Sequence, residues 1–182
     1  MPGWDNFYYL IGSASAGLIG LLFVVVTLAA GRDRETSLRG AALYMTPTVV
    51  NFGVVLSVSA VCLAPGLPLG ARCVAFALAT LLGLINAARA CWGIAHPRTS
   101  AGPAHWSDAW CYGVAPLVIH VTLAGVILAT ALGPARWAPY GMGGLLLALL
   151  LLGVRNAWDL VTWIAPARGT AGASAERQDR GS

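Results

Sequence analysis

Charge is what this chain has least of. Only 10% of its 182 residues are charged, against about 25% in an ordinary soluble domain. That deficit excludes a water-soluble globule and points to a membrane protein. Lysine is absent: all 11 basic residues are arginine, which reads as coding bias rather than function. The arginines are scattered, so the net charge of +4 marks no nucleic-acid surface, which needs Lys/Arg gathered on one face or run. The four cysteines, Cys62, Cys73, Cys91 and Cys111, include no C-x-x-C pair, so thioredoxin-type redox and zinc-knuckle signatures are missing. Buried cysteine behaves as a small hydrophobe. Cys62 and Cys73 fall near the same end of adjacent helices, which leaves a disulfide between them open. No metal-binding spacing, paired carboxylates or Ser–His–Asp set appears. The GMGG at 141–144 opens an apolar helix and lacks the Lys-Ser/Thr of a phosphate loop. With loops this short there is no room for a soluble catalytic domain, so the expectation is not an enzyme, with no cofactor.

Long apolar runs are what the chain has instead. Five stretches, roughly 8–30, 42–63, 72–94, 108–132 and 139–164, reach the length of about 20 residues that crosses a bilayer. The expected fold is an all-α polytopic bundle of five transmembrane helices in a single domain over 1–167, with a disordered cytoplasmic tail over 168–182. The first stretch has no Arg or Lys before it and is too apolar for too long to be a signal peptide. Arg32, Arg34, Arg39, Arg98, Arg168, Arg177 and Arg180 lie on one side of this topology, and only Arg72 and Arg136 on the other. The positive-inside rule then puts the N-terminus outside and the C-terminus in the cytoplasm. Trp92, Trp106, Trp110 and Trp163 crowd the expected cytoplasmic boundary as an aromatic belt.

The chain also repeats itself. Residues 81–102 (LLGLINAARACWGIAHPRTSAG) align without a gap on 151–172 (LLGVRNAWDLVTWIAPARGTAG) with 10 matches in 22, where composition alone gives about two or three. Residues 46–67 lie over 115–136 with Pro47/Pro116, Val49/Val118, Ala60/Ala129, Leu63/Leu132 and Pro65/Pro134, and Asn51 falls on His120. The pattern predicts one N-terminal helix followed by two parallel-repeated helical hairpins, 42–102 and 109–172. Sites in membrane proteins often lie at such repeat interfaces.

Four polar residues sit at similar depth, one per repeat helix. Asn51 is about nine residues into the second helix and Asn86 about eight from the end of the third. His120 is roughly 12 into the fourth, and Asn156 about eight from the end of the fifth. Facing inward, they would form a polar girdle that could line a path for protons, ions or a small solute. The plainer reading is structural, since Asn in a membrane helix often bonds a neighbour for about 1 kcal/mol. His120 lacks a carboxylate at its level for a proton relay. It also lacks a second ligand for haem, because His96 and His105 lie at or beyond the boundary. Near the cytoplasmic side Arg155 and Asp159 are spaced to pair on one face. Arg89 aligns with Asp159 across the repeat, and Asp108 is a further candidate partner. Arg near a helix end can also simply snorkel to the headgroups.

In the first helix Gly12, Ala16 and Gly20 recur every fourth residue, and Ser13 and Gly17 continue a neighbouring small stripe. Small residues at that spacing let helices approach closely, within the chain or against an oligomer partner.

The stretches WDNFYYLIGSASAGLIGLLFVVVTL, AALYMTPTVVNFGVVLSVSAVCLAPG and RNAWDLVTW resemble a group of small bacterial five-helix membrane proteins, some labelled modulator of FtsH protease. The resemblance covers most of the chain and rests on packing motifs. It departs at Asp159, where the group is apolar, and in the charged loop after the first helix. It implies the five-helix fold, a bacterial inner (plasma) membrane location and a membrane-protease partner, and it transfers no functional residue. Two functions follow: a small oligomeric channel-like or transporter-like conduit, or a non-transporting regulator or assembly subunit packed against a larger membrane complex. The expected partners are the lipid bilayer and a second copy or another membrane protein, with no nucleic acid.

Overall fold

The structure, a computed structural model, describes residues 3–29, 36–96, 107, 109–133 and 136–164, with the backbone alone at 26, 28–29, 36–45 and 160–164. Asp108, the tail from 168, and Arg32, Arg34, Arg98, His105 and Trp106 lie outside the described residues, as do the side chains of Arg39 and Trp163. Among the described residues the chain is all-helical, without strands. Helix α1 spans Asp5–Ala29, α2 Thr36–Leu63 and α3 Leu69–Ala95. Helix α4 spans Ala109–Leu132 and opens with a π-helical turn, Ala109–Val114. Helix α5 spans Ala138–Ile164. All five are long and apolar enough to cross a membrane. Helix α2 begins earlier than its apolar stretch because the helix runs on through polar TSLRG; hydropathy marks the membrane-compatible part, not the hydrogen-bonded part.

The local causes are legible. Asp5 lies in the first turn of α1, where a carboxylate complements the helix dipole. Pro68 holds extended backbone (φ −65°, ψ 150°) and ends the short 64–68 link, so α3 turns back beside α2. Arg72 donates to the Ala64 carbonyl at 3.3 Å and ties the start of α3 over the end of α2. In α4, Pro116 has no N–H, and its ring crowds the carbonyl four residues back, at Tyr112. The backbone answers with the wider π turn just before it, an adjustment membrane helices use around proline.

Helices α2, α3, α4 and α5 form a square in which each packs on its two neighbours, and α1 lies against α2 and α5. Phe52, Val55, Val58, Leu123, Met142, Leu146 and Leu149 are fully buried at its centre. The outer surface is also apolar: Leu10, Phe23, Leu78, Leu82, Leu128 and Leu151 are exposed. Water would penalise such a surface and lipid does not, and helices pair most of their backbone groups within themselves, as a bilayer core demands. The Cys62 thiol points at the Met142 sulfur, 3.9 Å away, and both Cys62 and Cys73 are free thiols.

Candidate functional site

The polar centre is a pair, not a four-membered girdle. Asn51 follows Pro47 by one turn on α2, and His120 follows Pro116 by one turn on α4. These helices face each other across the diagonal of the square, and the two side chains span it. His120 Nε2–H donates to Asn51 Oδ1 at 3.2 Å. Both are sealed from the outside, His120 at 0% and Asn51 at 1% exposure. The imidazole lies directly on Gly83 of α3, where an added Cβ would overlap three ring atoms. The other half has a matching seat: the Phe52 ring lies on Gly153 of α5, where a Cβ would overlap it too. Gly83 and Gly153 are aligned positions of the sequence repeat.

The pair does not exhaust its own hydrogen-bonding capacity. His120 Nδ1, Asn51 Nδ2 and, one turn from Gly83, Thr80 Oγ1 are buried without a protein partner. Most buried polar groups find a partner, so three orphans on the two diagonal helices α2 and α4 and on α3 between them are unusual. Ser59 Oγ, nearer α1, is a fourth.

Asn156 belongs to a separate cluster. Its Nδ2 donates to the Cys111 carbonyl at 3.1 Å, and Tyr112 Oη donates to the Asn156 carbonyl at 3.0 Å. In the i→i+5 spacing of the π turn, Cys111's carbonyl looks to residue 116, a proline without an N–H. Asn156 supplies the missing donor. Sequence reading overlooked Cys111 and Tyr112, although Pro116 in an apolar helix signals a carbonyl in need of a donor. Arg155 donates to Asn156 Oδ1 at 3.4 Å and pairs with Asp159 at 3.0 Å.

Asn86 is not in the centre. It lines a groove between α2 and α3 on the outside of the square, next to Arg89. The expected cross-repeat pairing of Arg89 with Asp159 is not formed: Arg89 is exposed beside α2, and the Asp159 carboxylate is held by Arg155 one turn earlier on its own helix.

The small stripe of α1 divides in two. Gly12 is buried, its Cβ position 3.0 Å from Ser59 Cβ, so α1 and α2 approach closely there. Ser15 reinforces the contact by donating to the Phe52 carbonyl at 2.6 Å. Ser13, Ala16, Gly17 and Gly20 are exposed, and the Cβ positions of Gly17 and Gly20 meet nothing within 4 Å. Among the described residues no group of three or more His, Cys, Asp or Glu side chains could hold a metal ion. No family model, curated protein or solved structure matches the chain.

Proposed function

We propose that this chain is a non-enzymatic subunit of the bacterial inner membrane, N-terminus outside, that acts by docking α1 against another membrane protein. The observation that carries the reading is the exposed small face of α1, Ser13, Ala16, Gly17 and Gly20. Lipid gives no hydrophobic reason for helices to associate, so association rests on close van der Waals contact, which small residues permit. The rest of α1's outside is bulky, with Leu21 and Phe23 exposed. The small face is therefore a local recess. A second membrane helix with its own small stripe fits it, and the resemblance to modulators of a membrane protease supplies the class of partner. The test is a photo-crosslinker placed at Gly20 in cells. It should capture a protein, and Ala16→Leu/Gly17→Leu should abolish capture while leaving the fold intact, because those positions are open. Capture of lipid alone would sink the proposal.

A conduit along the repeat axis is the second reading, and one observation favours it. Asn51 and His120 are aligned positions, and two repeat-equivalent residues that touch each other must straddle the axis relating them. The paired ring seats at Gly83 and Gly153 support the same parallel-repeat arrangement. Buried orphan polar atoms at that axis are what a proton or solute path would use. Liposomes holding the purified protein decide it. Proton or ion flux lost in Asn51→Leu/His120→Leu would favour the conduit, and absence of flux under any gradient would leave the pair as structural glue.

A further inference from the structure

The groove between α2 and α3 has a volume of about 440 Å³, inside the range of about 300–1,000 Å³ typical of small-molecule sites. Val50, Gly53, Val54, Leu82 and Ile85 line its length. Gly53 contributes open space, since its Cβ position meets nothing within 4 Å. Because α2 and α3 run antiparallel, the groove has one chemically distinct end. Thr46 at the start of the apolar part of α2 meets Asn86 and Arg89 near the end of α3. Arg89 is six residues before Ala95, the last residue of α3, which places it about 9 Å along the helix from that end. From there a long arginine side chain reaches toward the headgroup layer on the side of the arginine-rich loops.

That end asks for a ligand: Arg89 is exposed and makes no ion pair with a described residue. A cation at one end of an apolar channel that runs toward the bilayer centre matches one kind of molecule along its whole length. We propose that the α2–α3 groove is a binding site for an anionic phospholipid of the adjacent leaflet. Its phosphate sits on Arg89 and one acyl chain lies over Gly53. Basic pockets between membrane helices bind anionic headgroups by the same logic. A merely snorkelling arginine would not need the open channel.

The site is on a different face from α1 and stands or falls separately from the docking proposal. The test uses the full chain in nanodiscs of equal parts phosphatidylglycerol and phosphatidylcholine, extracted gently and read by native mass spectrometry. One phosphatidylglycerol should stay bound in preference to phosphatidylcholine. Arg89→Gln should lower its retention roughly fivefold, the size expected for about one basic contact near the surface. Gly53→Leu, whose Cβ meets nothing within 4 Å and whose branches would occupy the channel, should lower retention of both lipids. Arg155→Gln, elsewhere on the same side, should change neither. Equal retention of the two lipids, or a Gly53→Leu variant that retains phosphatidylglycerol normally, would overturn the site. Crosslinking from Gly20 should be unaffected in every variant, so a failed lipid site and a failed docking face read out differently.

Discussion

Gly83 and Gly153 hold the same place in the two aligned halves of the chain, yet each seats a different ring. Gly83 carries the His120 imidazole, and Gly153 carries the Phe52 phenyl. In both, a missing Cβ lets a ring from a facing helix lie on bare backbone. What differs is the tether. Phe52 is held by packing among apolar side chains, whereas His120 is held by packing and by its bond to Asn51. The two glycines seat rings alike, but one ring is held by packing alone and the other also by a hydrogen bond.

Breaking the seats gives the largest expected effect. Gly83→Ala forces the imidazole to move, and it cannot move without leaving Asn51 Oδ1 unpaired in the interior. Overpacking and a lost buried partner together should cost about 2–3 kcal/mol. Gly153→Ala forces only a ring shift among apolar neighbours and should cost about 1–2 kcal/mol. Unfolding of both variants in one detergent ranks them. Adding His120→Ala to Gly83→Ala should recover most of the loss, because the two residues share one contact and their effects are not additive. Equal losses at the two glycines would mean that the tether is energetically irrelevant.

The tether itself is worth less. A cycle of Asn51→Leu, His120→Leu and the double variant should give a coupling of about 1 kcal/mol, in the range seen for hydrogen bonds between membrane helices. Each single variant strands its partner, while the double variant strands neither. A coupling indistinguishable from zero would separate the two side chains and remove the polar half of the comparison.

The five helices were legible because apolar length is a coarse signal that packing does not alter. The meeting of Asn51 with His120 was foreshadowed by their aligned positions, but depth alone also gathered Asn86 and Asn156 into the same ring. Depth fixes height along a helix and says nothing about rotation around it. Asn86 lies on the α3 face toward α2's outer side, and Asn156 on the α5 face toward the π turn. The π turn was hidden because hydropathy is blind to backbone register; Pro116 was its one visible cause. In α1 the period of four was plain, yet only Gly12 was taken up internally. Which part of a small stripe is used depends on where the neighbouring helix crosses it.

The smallest expected effect lies where the halves differ most in charge. Positions 85 and 89 of α3 are Ile and Arg; the aligned 155 and 159 of α5 are Arg and Asp. One half therefore satisfies its arginine within a single helix, and the other leaves Arg89 to the groove. The Arg155 and Asp159 side chains are 42% and 40% exposed, and a pair so accessible contributes little, typically 0–1 kcal/mol in water. Arg155 also keeps Asn156 Oδ1 as a second acceptor. Asp159→Asn should thus lower stability by about 0.5 kcal/mol or less in the detergent unfolding assay. Placing the same pair in the other half sharpens the contrast. Ile85→Glu puts a carboxylate one turn before Arg89, within reach of an i,i+4 pair. It should gain little stability for the same reason, but it should take Arg89 away from any anion in the groove. If the engineered pair leaves phosphatidylglycerol retention untouched, then Arg89's lack of an intrahelical partner is not what distinguishes the two halves.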